Sequence, residues 1–288
     1  MKIGVITDSA ADLPKELMEK HKIAVIPHVV YFDDKYWKLG VDVSIPEFYN
    51  LIRTRDLIPP TTNPEPNDFV EKLEEGFDKH GFNHIFSVSV SKELSGSTFN
   101  SHRLAAKKFE DKVTVIDTHS ASGVQGLIIL AILELGAKGM SIKDIENHIN
   151  KLKKNYFLDV GFHTLDNVYK SGRLKSKFVL WLTKTIKIKP VAIMQKPGIL
   201  KSTLPGFFTN RSMTRRLANI AIRDTNKTIA YDLIISHVEN QEGAEIIKQK
   251  LLKKLKINRF FITPVSPIIG TSTGIGTIIV SLLPSNKN

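Results

Sequence analysis

The chain contains no cysteine among its 288 residues, which excludes disulfides, thiolate-zinc centres and cysteine nucleophiles. Long apolar runs are missing too. The longest runs from Leu127 to Leu133, far short of the roughly 20 residues that a bilayer-spanning helix needs. Met1 to Asp8 reads directly as a strand, without the separate basic and apolar regions of a secretory signal. Together these absences lead us to expect a soluble, cytoplasmic protein. Familiar catalytic signatures are lacking as well: no G-x-S-x-G elbow, no G-x-x-x-x-G-K-[ST] loop and no H-E-x-x-H helix. Ser89-Val90-Ser91-Lys92 meets S-x-x-K in form, but no S-D-N or K-T-G follows it. The nine histidines are scattered; His80 and His84 stand four apart but are separated by Gly81, so no metal site is expected.

Positive charge is abundant and unevenly placed within a net of +12. Residues 1–144 carry 17 Lys and Arg against 21 Asp and Glu, a net of −4, while residues 145–288 carry 24 against 8, a net of +16. A basic half of this size suits an acidic partner or an anionic membrane surface. The same lysines also make an ordinary solvated face. Nucleic acid is disfavoured, because no helix-turn-helix, zinc finger or interleaved aromatic-basic pattern accompanies the charge.

Alternating strand and helix signals give an α/β reading throughout. Strands are expected at Ile3–Thr7, Ile23–Phe32, Ile85–Val90 and Val113–Asp117, with helices at Pro46–Arg55, Asn67–Lys79 and His102–Phe109, and one opened by Asp12-Leu13-Pro14. Ser120–Gly139 reads as a buried helix, apolar on nearly all sides, and Ser141 caps the next one, to about Lys154. Near Tyr156 the composition turns basic, which divides the chain into residues 1–156 and 157–288. In the second half, strands fit Phe157–Phe162, Pro190–Gln195, Thr228–Ser236, Phe260–Thr263 and Thr277–Leu282, and helices fit Thr209–Arg223 and Glu242–Leu255.

Three hydroxyl-rich turns stand out: Thr61-Thr62 within a proline-stiffened loop, Ser95-Gly96-Ser97-Thr98, and Gly270-Thr271-Ser272-Thr273-Gly274-Ile275-Gly276. The second joins a strand to a helix, where hydroxyls and unpaired helical N–H groups converge as a cradle for a carboxylate or phosphate. Alternatively, Ser95 or Ser97 simply caps the helix. Asp8, at the end of the first strand, is either a functional carboxylate or a turn former. Hydroxyls without a neighbouring base, metal or thiol favour binding over bond breaking. The rival reading is a phosphotransferase or hydrolase that binds phosphate with these loops and draws on Asp8.

Taken in order, Ile6-Thr7-Asp8-Ser9, Asp12-Leu13-Pro14, Thr61-Thr62-Asn63-Pro64, Leu94-Ser95-Gly96-Ser97-Thr98-Phe99, Ile116-Asp117-Thr118, Ser171-Gly172-Arg173-Leu174 and the Gly270–Gly276 turn make the chain resemble the DegV family of bacterial fatty-acid-binding proteins, nearly end to end, over about residues 3–284. The resemblance implies two α/β domains enclosing one long-chain fatty acid such as hexadecanoate, with no cofactor. It places the carboxylate on Thr62 and Ser95, with Thr61, Ser97 and Ser272 as further headgroup candidates. The helix around Gly126–Leu135 and the second domain become candidate tunnel walls. It implies a non-catalytic role, presenting lipid to a separate fatty acid kinase. Arg173 is then a candidate for pairing with an acidic group, inside the protein or on a partner. Where the family's glycine turn carries histidine and proline, this chain has Ser272 and Ile275, so an imidazole is missing from that turn.

Overall fold

The computed structural model describes residues 1–55, 58–170, 188–195, 197–207 and 209–286. The chain runs β1 (Ile3–Asp8), α1 (Lys15–Lys20), β2 (Ala24–Ile26), β3 (Val29–Phe32), β4 (Lys35–Lys38), α2 (Ile45–Arg55), β5 (Thr61–Thr62), α3 (Pro66–Asp78), β6 (His84–Ser89), α4 (Gly96–Ala106), β7 (Val113–Asp117), α5 (Ser122–Ala137), α6 (Ile142–Leu152) and β8 (Phe157–Gly161). There follow β9 (Lys189–Gln195), β10 (Ile199–Phe207), β11 (Ala230–His237), β12 (Lys256–Pro264) and β13 (Ile278–Pro284), interleaved with helices at Asn210–Asp224, Gln241–Leu252 and Pro267–Thr273. The strands form a parallel sheet in the order β2-β1-β6-β7, a mixed sheet β10-β9-β8-β13-β11-β12 and a small antiparallel sheet β4-β3-β5. The protein is thus α/β, and its two large sheets draw their strands from either side of Tyr156.

Helix α5 lies between the large sheets, packed on β1 and β6 on one side and on β11 and β13 on the other. That position explains why its sequence has no polar face: Val124, Leu127, Ile128, Ile129 and Ile132 are all fully buried. Close approach needs missing side chains. A Cβ at Gly123 would come within 2.7 Å of Ile234 on β11, and one at Gly126 within 2.9 Å of the Asp12 carbonyl beyond β1.

The expected strand Ile23–Phe32 is instead two strands in different sheets. Pro27 has no N–H to extend the ladder, so the chain leaves the parallel sheet there and re-pairs as β3. A hairpin to β4 follows, turning through Asp33 and Asp34, both at left-handed φ (51° and 56°), as a two-residue primed turn requires. The glycine turn is also revised: Pro267–Thr273 is helical, opened by proline at its first position and closed by Gly274 at φ 86°. Asp12-Leu13-Pro14 supplies no side-chain cap, and α1 starts at Lys15 behind Pro14. By contrast, Ser141 does accept the Asp144 N–H, at 3.2 Å.

On β8, Leu158 and Val160 face α5 and the first half of the chain, so Asp159 between them turns toward the helix Asn210–Asp224. Gly161, on the same face as Asp159, lies against Met213 and Leu217 of that helix. Asp159 is fully buried, and among the described residues neither of its carboxylate oxygens has a hydrogen-bond partner. Burial pushes its pKa up to about 8, with Asp224 adding to the rise and Arg223 opposing it. The folded protein therefore holds a proton that the unfolded chain releases near the ordinary value of 3.8. The stability this proton confers is complete below that value and is lost as pH rises toward about 8. Urea unfolding at pH 5 and pH 8.5 is expected to show wild-type stability falling by up to about 1.4 kcal/mol per pH unit across this window. Asp159→Asn should flatten that slope.

Candidate functional site

In the parallel sheet the chain goes from β1 to β2 on one side and later returns to β6 on the other. The crevice at the carboxyl ends of β1 and β6 is thus a topological switch point, where open α/β sheets bind ligands. A cavity of about 130 Å³ lies there. Its polar lining comes from His28, Thr61, Asn63, Ser95, Ser122, Ser272 and Thr273. Its apolar lining comes from the mixed sheet, through Leu158 and Val160 on β8, Met194 on β9 and Ile279 on β13, and from a cluster that includes Val90, Leu94 and Ala121.

Ser95 occupies the N-cap position of α4, yet its side chain makes no cap hydrogen bond. The hydroxyl instead donates to Asn63 Oδ1 at 3.1 Å and lies 2.8 Å from Thr98 Oγ1, which itself donates to Asn63 Oδ1 at 2.9 Å. Capping is therefore not what this serine does. Thr98 stands three residues on, on the same helical face, whereas Ser97 is two residues on and turned away; Thr98 is fully buried and Ser97 exposed. Alternation along β5 separates the two threonines in the same way. Thr61 pairs with the buried Val30 and lines the cavity, while Thr62 pairs with Val29 and lies outside the lining. Ser272 reaches the cavity from the helix Pro267–Thr273. Arg173 lies outside the described residues.

Asp8 is fully buried and does not line the cavity. Its Oδ1 accepts the Ala10 N–H at 2.9 Å, and its Oδ2 accepts the Val90 N–H at 2.8 Å and the Gln125 side-chain amide at 3.2 Å. His102 Nε2 lies 3.3 Å from Oδ2, and Ser87 Oγ lies 2.6 Å from His102 Nδ1. Burial alone would raise this carboxyl, but the hydrogen bond and charge of His102, with smaller contributions from His28 and Val90, hold it below the usual range. Ser87, His102 and Asp8 repeat the order of a nucleophilic triad. However, all three are buried and none reaches the cavity, so the arrangement ties together the loops that follow β1 and β6.

Asp12 makes a second tie. Its Oδ1 accepts the Ser266 N–H at 2.8 Å, and its Oδ2 accepts the Ser122 hydroxyl. Ser122 itself sits at φ 54°, a left-handed backbone held in place because its N–H also donates to the Ala10 carbonyl at 2.9 Å. Burial raises the Asp12 carboxyl against the lowering effect of these hydrogen bonds. Sequence reasoning missed His28, Asn63, Thr98 and the roles of both carboxylates. Helical spacing from Ser95 would have found Thr98; the others meet only through the fold. Among the described residues, no group of three His, Asp or Glu is placed to hold a metal ion, and no helix is long and apolar enough to cross a membrane.

A family model described as "Uncharacterised protein, DegV family" matches residues 2–285. A DegV domain-containing protein of Clostridium perfringens is 33% identical over 187 residues, 63% of this chain and 64% of that relative. Among solved structures, a DegV lipid binding protein from Thermotoga maritima matches with a TM-score of 0.87 at 25% identity, over 99% of each chain. A further Thermotoga maritima protein, whose structure reveals a fatty acid binding function, matches with a TM-score of 0.87 at 24% identity, over 99% of this chain and 100% of that one.

Asp8→Ala would leave two buried backbone N–H groups and His102 without their acceptor. It is expected to lower the unfolding free energy by about 3 kcal/mol or more, measured by urea denaturation at pH 7. Because the carboxyl is held low in the folded state, its contribution is present above the unfolded value of 3.8 and is lost as pH falls through the folded one.

Proposed function

From this chain's membership of the DegV family, we propose that it binds one long-chain fatty acid, with the carboxylate at the polar lining of the cavity and the acyl chain running between the two halves, 1–156 and 157–288. Ser95 donates to the carboxylate, with Thr61 and Ser272 beside it. The observation that carries this reading is the hydroxyl of Ser95, which leaves its own helix uncapped and stands at a cavity that Leu158, Val160, Met194 and Ile279 also line. The cavity has room for the head end, and the rest of the chain has to part these apolar side chains.

Magnitudes support this division of labour. Burying about 14 methylenes at about 0.8 kcal/mol each gives roughly 11 kcal/mol of gross driving force, before association and ordering costs. The tail therefore supplies affinity. The hydroxyls offset the penalty of burying a carboxylate and fix its orientation. No observation favours the phosphotransferase or hydrolase reading: the imidazole in the cavity wall, that of His28, meets Thr98 and not Ser95. The protein is read as a cytoplasmic carrier that presents its ligand to a fatty acid kinase, with the basic second half available to an acidic partner or an anionic membrane.

Denaturing extraction of the purified protein followed by mass spectrometry is expected to release a long-chain fatty acid in near-equimolar amount; protein that neither carries one nor takes one up overturns the reading. Ser95→Ala is expected to weaken hexadecanoate binding by about 1.5–3 kcal/mol, the usual worth of a hydrogen bond to a charged group, as measured by titration calorimetry. Thr62→Ala should change it little.

A further inference from the structure

His28 follows Pro27, where the chain passes from β2 to β3, and it is almost fully buried at 2% exposure. Both ring nitrogens face hydroxyls: Nδ1 lies 2.9 Å from Ser9 Oγ, and Nε2 lies 3.3 Å from Thr98 Oγ1. The backbone N–H of His28 also donates to Ser9 Oγ, at 3.0 Å. Thr98 donates its single proton to Asn63 Oδ1, at 2.9 Å, so toward His28 its oxygen accepts and Nε2 carries the ring proton; Nδ1 is then the acceptor for the Ser9 hydroxyl. The next hydroxyl in this chain is that of Ser95, 2.8 Å from Thr98 and at the cavity surface. Ser95 also donates to Asn63 Oδ1, at 3.1 Å; because Thr98 keeps that oxygen satisfied, the proton of Ser95 can turn to a ligand in the cavity without leaving a buried acceptor unsatisfied.

We propose that His28 is a positioning residue for the ligand headgroup. It sets the direction of the hydrogen bonds through Thr98, so that Ser95 donates into the cavity, and it thereby makes the site prefer an anionic carboxylate to a neutral alcohol headgroup. The proposal rests on the fatty-acid reading above and adds a determinant of headgroup selectivity. Ser272 lines the same cavity. The His28 imidazole reaches this wall from the β2–β3 junction.

The test measures binding of hexadecanoate and of hexadecan-1-ol to the full-length wild type, His28→Leu and His28→Gln. His28→Leu is expected to lose about tenfold to a hundredfold in affinity for the acid, the worth of a hydrogen bond to a charged group, and to keep its affinity for the alcohol within about threefold. His28→Gln, which retains an N–H donor, should recover part of the loss. Equal losses for acid and alcohol would assign His28 to packing alone, and no loss for either would leave it without a role; both outcomes overturn the proposal. Should the variants fail to fold, nitrogen-15 spectra of the histidines in the wild type with hexadecanoate decide the matter: an Nε2–H ring for His28 supports it, and an Nδ1–H ring overturns it. A wild type that binds no fatty acid overturns the parent reading itself, which separates the two failures.

Discussion

A helix with no polar face cannot stand at a surface, and α5 imposes that constraint on the whole molecule. Its buried run from Val124 to Ile132 has to be covered on every side, and β1 with β6 and β11 with β13 do so. Gly123 and Gly126 set the distances, because a side chain at either would collide with the layer it faces. The first turn of this helix contributes Ala121 and Ser122 to the cavity, so the element that joins the layers also fixes where their walls meet. Burying it at about 25 cal/mol per Å² of apolar surface is a dominant favourable contribution at the junction.

The polar chemistry near the junction sorts into two groups by accessibility. Asp8 and Asp12 are buried carboxylates that accept backbone N–H and side-chain donors, and they tie the loops after β1 and β6 to α5 and to the helix Pro267–Thr273. The cluster of Ser9, His28, Asn63, Ser95 and Thr98 is held instead by neutral hydroxyls, an amide and an imidazole. The buried carboxyls thus tie the loops together, and the neutral hydroxyls stand beside the cavity. Burying a charge is tolerated only with such complete satisfaction. Asp159, which lacks it, takes up a proton instead.

Much of the architecture was legible because local signals and tertiary demands agreed. The all-apolar stretch Ser120–Gly139, the Ser141 cap and the strand at Ile85–Val90 required no knowledge of their neighbours. Disagreement began where pairing decides. Ile23–Phe32 is uniformly β-favouring, and only the proline inside it marks the change of sheet. Asp33-Asp34 is a weaker hairpin signal than Asn-Gly, yet both residues accept left-handed φ. Gly270–Gly276 reads as a loop by composition, although Pro267 and Gly274 mark the two ends of a helix. Of the candidate headgroup residues, Ser95, Thr61 and Ser272 converge on one cavity. That Thr61 and not Thr62 lines the cavity, and that Thr98 is buried where Ser97 is exposed, follows from a strand register and a helical phase that composition does not carry. His28 was invisible, since nothing near it in the chain announces its partners 19 and 70 residues away.

The cavity has no wall of its own: residues from positions 10 to 122 form one side and residues from positions 158 to 279 the other. An unfolded chain scatters these residues, so it offers a ligand nothing to hold. Any molecule seated there acts as a cross-strut between the halves, and its binding free energy enters the cohesion of the fold directly. At a free concentration a hundredfold above its dissociation constant, that amounts to about 2.7 kcal/mol, a substantial share of the 5–15 kcal/mol or so that typically separates folded from unfolded domains.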